Sequence, residues 1–401
     1  MKATTRIQLS SMMFLEFFIW GAWFVTLGTF LAQHFSASGS QMGLAFETQS
    51  IGAIIAPFII GLIADRYFSA QKILGFMHLT GAALLFFVAT TNSFAAFYPL
   101  VLIYMLLYMP TLALVNTIAF KQLKDNPEKF AQIRVFGTVG WIIAGVLIGY
   151  FGWESSRQLQ NTFLLASFAS ALLGVLSFFL PNTPPSAKQD GAGLRHMIGL
   201  DALGMLRDKT YLVFFITSVL ICIPLAFYYQ NTNLFLNDIG MAGAAATMSL
   251  GQVSEILFML MLPLFLKRFG IKITLLIGIL AWVIRYVLFA YGDTGDQIWM
   301  LFVGILLHGI CYDFFFVTGQ IYTEKKAGLK NKAAAQGLIT LATYGVGMLI
   351  GFRLAGWITD TYTSAGSYQW EQIWLIPAGF AVVVLLLFIV LFREKQATAS
   401  E

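Results

Sequence analysis

The sequence predicts an all-α membrane protein with twelve transmembrane helices in two six-helix halves. Three observations carry that prediction. Of 401 residues, 58% are hydrophobic and 11% charged, against roughly 25% charged in a soluble domain, and the mean hydropathy is +0.78. The chain divides into twelve apolar runs, each near or above the about 20 residues that cross a bilayer. The lysines and arginines cluster between alternate runs, as they do when those connections share one side of a membrane.

The runs cover residues 7–33, 40–64, 70–91, 95–121, 129–151 and 160–180 in the first half. Residues 208–236, 241–267, 272–291, 297–322, 332–360 and 372–394 form the second. The opening "MKATTRIQLS" leads into an apolar run too long for a signal-peptide core, with no small-residue cleavage site, so it reads as the first span. Lys2 and Arg6 precede that span, Arg66 and Lys72 follow the second, and Lys121, Lys124 and Lys129 follow the fourth. The same side receives Lys188, Arg195, Arg207 and Lys209 of the central connection, Lys267, Arg268 and Lys272, then Lys325, Lys326, Lys330 and Lys332, and finally Arg393 and Lys395. The opposite side holds Arg157 alone. Both termini and the central connection are therefore expected in the cytoplasm. The division expected is a bundle over 1–181, a Pro- and Gly-rich linker over 182–207 and a second bundle over 208–401, the plan of a secondary transporter whose site lies between its halves.

Ionisable groups at membrane depth are functional candidates. Glu255 stands 12 residues before Lys267, and Asp313 stands 12 before Lys325. At 1.5 Å per residue, both lie roughly 18 Å from the cytoplasmic edge, near the midplane. Gln252, three residues from Glu255, shares its face. Loss of water favours the neutral carboxyl, which suits a group that takes up and releases a proton. In the first half Arg134, Thr138 and Trp141 fall on one helical face. Arg134 either snorkels to the cytoplasmic end or faces the cavity and pairs with Glu255 or Asp313, a pair that protonation would loosen. Glu47 and Arg353 should lie towards the outer ends of spans two and eleven. Glu16 either lines the cavity or bonds a neighbour, and Arg285 on span nine reads as structural. Cys222 and Cys311 lie in apolar runs and read as small buried hydrophobes.

The connection "GLIADRYFSAQK", residues 61–72, holds Gly61, Asp65, Arg66 and Lys72, with Phe68 two places after the arginine. It is similar to the signature loop of the major facilitator superfamily, which carries glycine at that last place. The segments "WGAWFVTLGTF" (20–30), "YMPTLALVNTIAF" (108–120), "IRVFGTVGW" (133–141), "QVSEILF" (252–258), "RFGIK" (268–272) and "YDFFF" (312–316) resemble the bacterial nucleoside:proton symporters of that superfamily. The resemblance implies proton-coupled nucleoside uptake by alternating access across the bacterial inner membrane. It places Arg134, Thr138, Gln252, Glu255 and Asp313 in the site or its coupling network, and aromatic side chains at Trp141 and Tyr312. A nucleobase would stack on such rings while the polar groups bond base edges and ribose hydroxyls. Three positions depart from the pattern: Ala226 and Tyr229 stand where relatives carry Gln and Asn, and His308 where they carry Tyr. Gln230, Asn231 and Asn233 are available as replacement hydrogen-bonding groups, and His308 is either a second proton carrier or a hydrogen-bonded structural histidine.

The candidate substrate contacts are thus Arg134, Thr138, Trp141, Tyr229, Gln252, Glu255, His308 and Tyr312. Glu255, Asp313 and Arg134 are the candidates for proton coupling, and Asp65, Arg66, Glu47 and Arg353 for gating. A net charge of +5 does not imply nucleic acid, because the basic residues punctuate apolar runs rather than forming one soluble face. No His/Cys/carboxylate cluster has metal-ligand spacing and no nucleophile–base pair is apparent, so neither an enzyme nor a resident cofactor is expected. The expected partners are a nucleoside, protons and the lipid bilayer, with the protein acting as a monomer. Symport of a sugar or other small polar metabolite, and a non-transporting sensor on the same fold, are the competing readings.

Overall fold

A computed structural model describes residues 3–59, 68–123, 127–184 and 200–393. The first half contains α1 (Ala3–Trp23), α2 (Leu27–Phe35), α3 (Gly39–Ile59), α4 (Ala70–Ala89), α5 (Phe94–Leu123), α6 (Pro127–Phe151) and α7 (Gln160–Ser177). The second contains α8 (Lys209–Asp238), α9 (Ala244–Tyr291), α10 (Ile298–Gly328), α11 (Ala334–Thr361) and α12 (Trp370–Leu391). A two-residue hairpin, β1 (Thr363–Ser364) with β2 (Ser367–Tyr368), joins α11 to α12.

Eleven helical runs among the described residues are long and apolar enough to cross a membrane. There are two departures from one helix per span, of which only the second, the length of α9, lowers the number from twelve. The first span is broken at residues 24–26, where a turn separates α1 from α2. Helix α9 runs for 48 residues, about 70 Å at 1.5 Å per residue, more than twice the hydrocarbon thickness. Its helical pattern is interrupted only at Gly270, with φ 73° and ψ 177°, a conformation essentially confined to glycine. Gly270 therefore makes the turn expected between spans eight and nine, and Gly328, with φ 66° and ψ 175°, does the same between ten and eleven. With α9 counted as two arms, the structure fits twelve crossings.

Large apolar side chains such as Leu260, Val390 and Phe76 are exposed on the flanks, as lipid-facing positions require. Polar contacts hold the interior. Glu16 does not reach a cavity: it is fully buried, 2.9 Å from His78 Nε2, and accepts a hydrogen bond of 2.6 Å from Thr111. Its role is to join α1, α4 and α5 within the first half.

Among the described residues, hydrogen bonds and ion pairs between the halves fall at the end of the bundle away from the termini and on the cavity side nearest it. There Arg353 of α11 forms a two-pronged pair with Glu47 of α3, and Thr29 of α2 donates to Asn233 of α8 at 2.6 Å. Glu154, just beyond α6, accepts from Asn233 and Asn237 at 2.8 and 2.9 Å. That far end is closed.

Candidate functional site

Between the halves lies a partly open cavity lined by residues of both. Three helical spacings build most of its wall. Arg134, Thr138 and Trp141 come from one face of α6, Gln252 and Glu255 from successive turns of the first arm of α9, and His308 and Tyr312 from α10 four residues apart. Tyr229 of α8 completes the set of residues nominated for substrate contact. The sequence reading missed Phe17 and Trp20 of α1, Gly137 of α6 and Tyr344 of α11, which also line the cavity. Phe17 and Trp20 share the three-residue spacing that exposed Gln252 and Glu255, so the same face argument could have found them.

The aromatic groups interlock. Trp20 and Trp141 meet edge-to-face, with centroids 5.5 Å apart, and the hydroxyls of Tyr312 and Tyr344 are 2.6 Å apart. Charge is divided between the walls, with Arg134 on the first half and Glu255 on the second. The two share the cavity but make no ion pair within 4 Å among the described residues, unlike the cross-half pair anticipated for Arg134. Instead its guanidinium lies 3.9 Å over the ring of Phe17, a cation–π contact that holds it against its own half.

Glu255 is partly open to the cavity, and its Oε2 lies 3.8 Å from Nε2 of His308. Asp313 is placed differently. It sits in a π-helical turn, Tyr312–Val317, and is completely buried with neither carboxyl oxygen hydrogen-bonded. The wide turn sends Tyr312 to the cavity and its neighbour Asp313 into the packing of the second half. An ionised carboxylate without a partner there would be costly.

The polar run after Tyr229 faces elsewhere. Asn231 bonds Thr359 at 3.1 Å, Asn233 is held by Thr29 and Glu154, and the amide atoms of Gln230 are buried without a hydrogen-bond partner. None of the three lines the cavity, and Ala226 is wholly buried. Asp65 and Arg66 lie outside the described residues. Cys222 and Cys311 are free and buried. Among the described residues no group of three His, Cys, Asp or Glu side chains could hold a metal ion.

Comparison with known proteins adds an independent line. A family model described as "Nucleoside H+ symporter" matches residues 1–397. The chain is 45% identical to the protein YegT of Escherichia coli K12, over 98% of this chain and 95% of that one. It is 33% identical to the nucleoside permease NupG of the same organism, over 98% and 96%. The crystal structure of the nucleoside transporter NupG superposes with a TM-score of 0.89 at 32% identity, covering 98% of this chain and all of that one.

Proposed function

The chain belongs to the nucleoside H+ symporter family, membrane transporters of the major facilitator fold, and from that premise we propose that it imports nucleosides by proton symport and alternating access. One observation carries the reading: a single inter-half cavity contains the Arg134 cation, the Glu255 carboxylate, the Gln252 amide and a set of aromatic walls. A nucleoside presents one flat face and several hydrogen-bonding edges. Trp141, Trp20, Tyr229 and Tyr312 offer surfaces for the base, while Arg134, Thr138, Gln252, Glu255 and His308 bond its edges and the ribose hydroxyls.

The proton is the coupling ion. Glu255, open to the cavity, takes it up beside the substrate, and Asp313, buried behind the wall, belongs to the same coupling network. Arg134 changes partners as Glu255 changes charge. The moving bodies are residues 1–181 and 208–401, joined by 182–207. The basic connections support cytoplasmic termini, and in that orientation the closed far end is the outer face and the cavity opens inward. Glu47 and Arg353 act as the outer gate, Asp65 and Arg66 belong to the inner one, and the protein works as a monomer in the bacterial inner membrane.

Uptake of radiolabelled uridine into proteoliposomes tests the reading. Accumulation above equilibrium should require an inward proton gradient, and unlabelled adenosine should compete while free ribose and glucose should not. Competition by sugars alone would overturn the substrate assignment, and binding without uptake would point to a sensor.

A further inference from the structure

Arg285 lies on the second arm of α9. It is completely buried, and among the described residues no carboxylate pairs with it. Its guanidinium stacks 3.5 Å over the ring of Tyr228, its Nε and Nη2 have no hydrogen-bond partner, and its Nη1 lies 3.2 Å from Nδ1 of His308. A guanidinium remains charged and can only donate. Nδ1 must therefore accept, and the one ring hydrogen of a neutral imidazole stands on Nε2. That is the nitrogen 3.8 Å from Oε2 of Glu255. Tyr228 and Tyr312 stack against the imidazole with centroids 5.2 and 6.0 Å away, nearly parallel to it, and keep its plane.

The charged and titratable groups facing this ring are Tyr228 from α8, Glu255 and Arg285 from the two arms of α9, and Tyr312 from its own helix. Arg134, Tyr229 and Tyr344 stand across the cavity. A doubly protonated imidazole would set an Nδ1–H donor and a positive charge against the guanidinium. We propose that Arg285 is a positioning residue for proton coupling: it holds His308 as the neutral imidazole whose Nε2–H faces Glu255 across 3.8 Å and which does not itself carry the transported proton. The ring keeps its single hydrogen throughout the cycle. The proton passes from water to the Glu255 carboxylate and back to water on the other side, and the Nε2–H supports the carboxylate while it is ionised.

The inference rests on the proton-coupled reading above, and the test separates the two. Gradient-driven accumulation and gradient-free exchange of labelled uridine are measured for the wild type, His308→Gln, Arg285→Met and the double variant, across pH. Glutamine offers one acceptor to Arg285 and one donor facing Glu255, as the neutral imidazole does. His308→Gln should therefore change KM, because the side chain lines the cavity, yet still accumulate uridine above equilibrium. Arg285→Met frees Nδ1 to bind a second proton, so exchange should acquire an acid limb that the wild type lacks and that adding His308→Gln removes. Exchange without accumulation in His308→Gln would make His308 a proton carrier and overturn the proposal. An Arg285→Met pH profile equal to the wild type would also overturn it. If Arg285→Met does not fold, the result for His308→Gln decides. Failure of the wild type to accumulate uridine would overturn the functional reading, and this inference with it.

Discussion

Glu154 and Asp360 make the same contact from opposite halves of the molecule. Glu154, after the fifth span, accepts the backbone N–H of Ala245 at 3.1 Å in the first turn of α9. Asp360, at the end of α11, accepts the backbone N–H groups of Gly39 and Ser40, the latter at 2.8 Å, in the first turn of α3. Spans five and eleven correspond in the six-span repeat, as do spans two and eight. Each carboxylate satisfies free N–H groups at the positive end of a helix in the other half. The far end is therefore fastened by two equivalent polar latches, together with the Glu47–Arg353 pair, which joins the same two helices, α3 and α11, as the Asp360 latch.

Breaking one latch should favour the state in which the far end opens. Glu154→Ala removes acceptors from Asn233, Asn237 and Ala245 only when the halves are closed. A shift of about 1–3 kcal/mol, roughly 5–150-fold in the conformational equilibrium, is expected. A cysteine at Ser249, beneath the latch, reports it: a membrane-impermeant thiol reagent added outside should label Ser249→Cys faster when Glu154→Ala is present. The buried native Cys222 and Cys311 keep the background low.

The gate pair is asymmetric, since the Glu47 side chain is 2% exposed and that of Arg353 60%. Arg353→Ala strands a buried carboxylate, whereas Glu47→Gln leaves a guanidinium that can reach water. Arg353→Ala should therefore damage uptake more. Adding Glu47→Gln should recover part of the loss, with a coupling energy of about 1–3 kcal/mol in a double-mutant cycle of transport rates.

Trp141 contributes an aromatic wall without a charge. Trp141→Ala should raise KM for uridine by roughly 5–10-fold, corresponding to about 1–1.5 kcal/mol of lost ring contact. The maximal rate under saturating uridine should change less.

Asp208 caps α8, accepting from the N–H groups of Thr210 and Tyr211, and lies 2.7 Å from Lys326 Nζ. The Lys326 hydrogen bond, with those N–H groups, holds its carboxyl below the usual aspartate range. Its stabilisation is therefore complete above the unfolded-state value near about pH 3.9 and is lost as pH falls through the lower folded-state value. Because the pair is well exposed, Asp208→Ala should lower thermal stability in detergent at neutral pH by only about 0.5–1 kcal/mol, and the difference from wild type should vanish in strong acid.

Periodicity and charge placement made the spans legible, and local spacing made one face of α6, the Gln252–Glu255 turn and the His308–Tyr312 turn legible. These arguments hold within a regular helix. They miss Tyr344 and the direction of Asp313 because both lie in π-helical turns, Leu341–Gly347 and Tyr312–Val317, where the 3.6-residue period fails. Partners far apart in the chain were less accessible. Glu154 lies in a short polar turn, "FGWESSR", and nothing local marks it as the residue that reaches Asn233. Arg285 looks structural on its own helix because His308, 23 residues later, gives its position meaning.

The central claim is that Glu255 couples substrate movement to the proton. It is tested most directly by comparing uridine transport by the wild type and Glu255→Gln in proteoliposomes carrying an inward proton gradient. The amide retains hydrogen-bonding capacity but cannot bind and release the proton. Glu255→Gln should exchange internal for external uridine, with weaker affinity, and should not accumulate it above equilibrium. Accumulation at the wild-type level by Glu255→Gln would contradict the account.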